Sequence, residues 1–145
     1  VSTVRRWLIA YVVTVAVFTL VDGVWIALVA SGVYRAQLGP LLAEGFDAVA
    51  AVVFYLGYVA GLVHFGVQPL APDVPLRRRA LAGGLFGLFT YATWGLTALA
   101  VLRGFPAFVA VTDIAWGVAL GALVTTVATL VLRRVRVITP EGRGR

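Results

Sequence analysis

Four apolar runs, separated by arginine clusters or by glycine and proline, leave this chain few ways to fold. A hydrocarbon layer about 30 Å thick is crossed by roughly 20 apolar helical residues, because no water inside it can satisfy an open backbone. The runs at residues 7–31, 46–67, 79–102 and 105–132 meet that length. They predict an all-α, integral membrane four-helix transmembrane bundle, one domain over residues 1–136, with a polar C-terminal tail at 137–145 expected to fray. A 61% hydrophobic content and a mean hydropathy of +1.00 fit this class and exceed what a soluble domain carries. The first run is too long for the h-region of a signal peptide and is expected to be a true span.

Charge sets the expected orientation. Arg5, Arg6, Arg77, Arg78, Arg79, Arg133, Arg134, Arg136, Arg143 and Arg145 fall on one side of the four spans, and only Arg35 and Arg103 on the other. Ten against two predicts both termini in the cytoplasm by the positive-inside rule. The same distribution accounts for the net charge of +6 without nucleic acid, since the arginines mark span ends rather than a soluble basic face.

Two carboxylates interrupt the apolar runs. Asp22 lies in the first and Asp113 in the fourth, and each is followed three residues later by tryptophan, Trp25 and Trp116. An ionisable group at bilayer depth is costly and marks a functional site by default. At 1.5 Å per residue, Asp22 lies about 20–23 Å from the cytoplasmic end of its span and Asp113 about 12 Å from the external end of its own. Both are therefore expected in the outer half, facing each other, with the two indoles bracketing them from above and below. Tyr55 and Tyr58 on the second span, and Tyr91, Trp94 and Thr97 on the third, reach a similar level. Thr90 and Thr93 accompany the last group, while Tyr34 and Arg35 are expected in the outer loop, either rimming the cavity or anchoring the loop at the headgroups. Buried hydroxyls and indole N–H groups need partners. Two carboxylates in a low-dielectric layer do not both ionise easily. The set therefore predicts an acidic, aromatic cavity able to hold a proton, a cation flanked by indole faces, or the head of an amphiphile.

Three Gly-x-x-x-Gly pairs, Gly57/Gly61, Gly83/Gly87 and Gly117/Gly121, put small residues on one face of their helices and predict close helix packing. The same faces suit self-association or packing against other membrane subunits. Enzyme motifs are missing. There is no phosphate-binding glycine loop, no His-Glu-x-x-His and no Gly-x-Ser-x-Gly, and the chain has no cysteine. His64, the one histidine, is expected too far from the acids to form a dyad with them. No metal site and no cofactor is evident, and a bound lipid or other lipophilic molecule suits the composition better. The residues lean away from catalysis without deciding it, and any chemistry would be acid–base work by carboxylates or would need a cofactor from elsewhere.

Five stretches resemble a known family. They are Phe18-Thr19-Leu20-Val21-Asp22-Gly23-Val24-Trp25, Tyr34-Arg35-Ala36-Gln37-Leu38-Gly39, Phe54-Tyr55-Leu56-Gly57-Tyr58-Val59-Ala60-Gly61, Leu85-Phe86-Gly87-Leu88-Phe89-Thr90-Tyr91-Ala92-Thr93 and Val111-Thr112-Asp113-Ile114-Ala115-Trp116-Gly117. In order and spacing they resemble the DUF2177 group of small bacterial membrane proteins. The resemblance implies four spans in a bacterial inner membrane, an unassigned function and a link to lipid modification. In the family pattern the third span carries an aspartate and an asparagine where this chain has Gly95 and Ala98, so the resemblance implies two of three family acids here.

Three readings follow. The first is an intramembrane site that binds or moves a small amphiphile, a cation or a proton. The second is an accessory subunit of a larger membrane complex. The third is a component of a lipid-modifying enzyme.

Overall fold

A computed structural model describes residues 2–139 and is helical almost throughout. Its helices are α1 (Thr3–Trp25), α2 (Ser31–Leu38), α3 (Ala48–Leu62), α4 (Leu76–Val101) and α5 (Ala107–Arg134). A π-helical turn, Ile26–Ala30, joins α1 to α2, and another, Val63–Val67, extends α3. Four helical segments are long and apolar enough to cross a membrane: Thr3–Leu41, Ala48–Val67, Leu76–Val101 and Ala107–Arg134.

Local chemistry explains the boundaries. The Ser2 side chain accepts from the Arg5 N–H at 3.3 Å, and that of Asp47 accepts from the Ala50 N–H at 3.0 Å, so α1 and α3 start on side-chain caps. Pro75 and Pro106 precede α4 and α5, where a missing N–H loses no helical bond. The first span does not stop at residue 31. It runs on to Gly39, whose positive φ of 41° ends the helix ahead of Pro40. Tyr34 and Arg35 are therefore helical residues of α2, not loop residues.

The tightest contact in the bundle joins the antiparallel helices α4 and α5. A Cβ placed on Gly83 would overlap the Gly121 carbonyl, and one on Gly87 would overlap the Gly117 carbonyl, so the two backbones touch where these glycines oppose each other. Gly61 is filled by the ring of Phe86. Gly57 departs from its expected packing role: it is exposed, and nothing lies within 4 Å of a Cβ built there. Its face of α3 turns outward, one turn from Gly61.

The core gathers Leu62, Val63, Val67, Leu120, Val124, Ala128 and Leu132 in the half of the bundle nearer the chain termini. Outside it, Leu20 is 72% exposed and Leu28 79% exposed, although both lie mid-span. Large apolar side chains on the outer surface of long helices are what hydrocarbon, not water, permits.

At the terminal end, arginines hold the segment between α3 and α4. Arg79 is almost fully buried and donates to the carbonyls of Val67, Pro69 and Ala71, the latter two at 2.7 Å. Arg6 donates to Leu70 at 2.8 Å and to Val137 at 2.9 Å, and Arg133 donates to Val74 at 3.2 Å. Each satisfies carbonyls that a helix end or turn leaves open. The expected polar tail needs correction at its start, since Val137 and Ile138 are buried in the core. Two apolar side chains gain more from that burial than from fraying. Pro140–Arg145 lie outside the described residues.

Candidate functional site

The half of the bundle away from the termini holds a cavity of about 550 Å³. Asp22, Trp25, Tyr55, Tyr91, Trp94, Asp113 and Trp116 all line it, so seven of the residues singled out by sequence meet in one space. None of the described residues that line it is basic.

Counted from the terminal end, Asp22 is nineteen residues along α1 and Asp113 twenty-one along α5, or about 28 and 32 Å at the α-helical rise. The two acids do not pair. Asp22 accepts from the indole N–H of Trp116 at 3.0 Å, and Tyr55 approaches it from α3. Asp113 accepts from the Tyr34 hydroxyl, which lies 2.7 Å from both carboxylate oxygens, and Trp94 stands beside it.

The indoles do not bracket the acids either. Trp25 and Trp116 stack on each other, with centroids 4.3 Å apart and planes 5° from parallel. The cause is helix geometry. Side chains lean towards the N-terminus of their own helix. On antiparallel helices, Trp25 leans towards the terminal end and Trp116 away from it, so both rings arrive at one level.

Tyr34 reaches the cavity because of the π turn. It is twelve positions after Asp22, about 120° around an uninterrupted α-helix. The extra residue in the π turn removes roughly 100° of that, leaving Tyr34 within about 20° of the face of Asp22. Ser31 supports the turn by donating its hydroxyl to the Ile26 carbonyl at 2.7 Å. Ile26, Ala30 and Ser31 line the cavity themselves.

Two expected site residues lie elsewhere. Tyr58 is buried behind the cavity among Phe18, Phe86 and Tyr91, and its hydroxyl finds no hydrogen-bond partner among the described residues. Thr97 is exposed on α4. Twenty-one residues along α4 from Leu76, it is at about the height of Asp113, and it misses the cavity because its face of the helix points outward. Gly95 is buried and does not line the cavity; a Cβ built on it would lie 3.4 Å from the backbone of Ala110. His64 is exposed, with its ring set edge-on to Phe65, and does not line the cavity.

Sequence reasoning did not assign Phe46 and Phe54 to the site, yet both line the cavity, and Tyr34 lines it from a helix rather than from an outer loop. The signal for Tyr34 was Gly39-Pro40, a helix stop eight residues after Ser31. Among the described residues, no three histidines or acids come together as a metal ion would require.

A second, narrower groove of about 280 Å³ runs between α1 and α3 along Val15, Phe18, Gly23, Val52 and Val59. Asp22, Ile26 and Tyr55 line both spaces, so they form the wall between the cavity and the lipid-facing groove.

No curated protein and no solved structure matches the chain. A family model described as "Predicted membrane protein (DUF2177)" matches residues 7–130, which cover every lining residue of the cavity. This multi-pass membrane protein, with its four long apolar helices, belongs to the DUF2177 family.

Proposed function

We propose that the cavity binds a small amphiphile with a cationic head, held by Asp22 and Asp113 and flanked by the Trp25–Trp116 stack. The observation that carries the reading is the lining itself. Two carboxylates share a space with three tryptophans and three tyrosines, and each acid has only neutral donors as partners. A buried acid without a basic partner is electrostatically incomplete, and a cation against indole faces is its natural complement. The adjoining groove supports an amphiphile over a bare ion, because its walls are mostly apolar and it meets the cavity at Asp22. Both termini are proposed to lie in the cytoplasm of a bacterial cell, the protein residing in the inner membrane, on the strength of the arginine distribution.

The test is native mass spectrometry of the protein extracted from its own membrane in lipid nanodiscs, compared with Asp22→Asn and Asp113→Asn. A bound lipophilic species in the parent that is depleted in both variants is the expected result. The same bound complement in all three proteins would contradict the reading.

A further inference from the structure

α1 begins and α5 ends at one face of the bundle, far from the cavity, and α5 stops there with an unexpected residue. Its last turn has the Schellman form: the Val137 N–H donates to the Leu132 carbonyl at 2.9 Å, and the Arg136 N–H to the Arg133 carbonyl at 3.3 Å. That turn needs a left-handed residue, and Arg136 supplies it with φ of 59°. Glycine adopts this conformation freely, whereas a Cβ makes it strained. Among the described residues, Arg136 is the one non-glycine with a positive φ. An observed backbone outlier is grounds for asking what its side chain does.

The side chain lines a pocket of about 400 Å³ with Arg5, Arg6 and Thr139 over an apolar base that includes Ile9 and Val135. No carboxylate among the described residues lines it. Arg6 is fixed in place by its bonds to the Leu70 and Val137 carbonyls, both made through one nitrogen, while Arg5 and Arg136 are exposed. The pocket lies where α1 leaves its apolar run, next to the stacked pair Trp7 and Tyr11, which is the level of lipid headgroups. Basic pockets between transmembrane helices at this level suit anionic headgroups.

We propose that Arg5, Arg6 and Arg136 form a binding site for a phosphate group, presented by an anionic lipid at the terminal face of the bundle. Arg136 occupies the strained position because its guanidinium closes the site from the α5 side, opposite the two arginines of α1. The site does not depend on what the cavity binds.

Lipid retention by the full chain, read by native mass spectrometry from detergent micelles, tests this. The probes are dioleoyl phosphatidylglycerol, dioleoyl phosphatidylcholine and inorganic phosphate. The parent is expected to retain phosphatidylglycerol in preference to phosphatidylcholine. Arg136→Gly should weaken that retention about fivefold, and Arg136→Lys should keep most of it. Because glycine suits the turn, Arg136→Gly should unfold at the parent's temperature or above it. Arg5→Gln, at an exposed position, is a second variant and should also weaken retention. Binding of inorganic phosphate that falls in Arg136→Gly, without a preference for phosphatidylglycerol, would assign the same site to free phosphate. Retention of all three probes unchanged in Arg136→Gly and Arg5→Gln would overturn the proposal.

Discussion

The Tyr34 hydroxyl donates to Asp113 from a point 2.7 Å from each carboxylate oxygen, and so ties α2 to α5 at the end of the bundle away from the termini. Removing the hydroxyl leaves a buried acid without that donor. Tyr34→Phe is expected to destabilise the bundle by about 1 kcal/mol, the scale of interhelical hydrogen bonds in membranes. Reversible unfolding in mixed micelles measures it. Asp113→Ala combined with Tyr34→Phe should give less than the sum of the single effects, because both remove one interaction. Strict additivity would mean that the bond carries no energy.

The π turn makes that contact possible. Deleting Leu28, which is 79% exposed, should remove the extra residue of the turn and leave Tyr34 eleven positions after Asp22, still within about 20° of its face. Deleting Leu28 and Val29 together should swing Tyr34 about 100° off the cavity, so that Tyr34→Phe has its effect on unfolding in the first background and none in the second. An equal Tyr34→Phe effect in both backgrounds would contradict this register.

The glycines divide into two groups. Gly87→Val would drive a side chain into the Gly117 carbonyl and should destabilise by more than about 2 kcal/mol. Gly57→Val faces open space and should be near neutral, within about 0.5 kcal/mol. Thermal unfolding of the two variants side by side checks the contrast, and equal effects would contradict the helix faces described here.

The absence of cysteine makes topology simple to test. Arg134→Cys, at the terminal end, should react with a membrane-impermeant maleimide only after the cells are opened. Ala43→Cys, between α2 and α3, should react in intact cells. The opposite pattern would reverse the proposed orientation.

Much of this architecture could be read from residue types and spacing. Apolar runs of membrane-crossing length placed four helices, and helical rise alone put Asp22 and Asp113 at comparable heights. What escaped was rotation about helix axes. Tyr34 falls on the wrong face of an ideal helix, and only the π turn returns it to the cavity. Trp25 and Trp116 stack because antiparallel side chains lean towards each other, which height along the chain does not reveal. Gly57 and Gly61 share a motif, yet Gly61 meets Phe86 while Gly57 meets nothing, since α3 turns only one edge to its neighbours. Val137 and Ile138 looked like the start of a loose tail because the turn that buries them rests on an arginine, where glycine is the usual signal.

The central claim is that the two carboxylates make the cavity a site for a lipophilic cation. Three of the four tryptophans line it, so their fluorescence reports occupancy directly. The decisive measurement is a titration of the nanodisc-embedded protein with tetraphenylphosphonium, followed by tryptophan emission, in the parent and in Asp22→Asn, Asp113→Asn and the double variant. Saturable quenching in the parent, weakened at least tenfold in each single variant and lost in the double, is the predicted result. Saturable quenching of equal strength in all four proteins would contradict the claim.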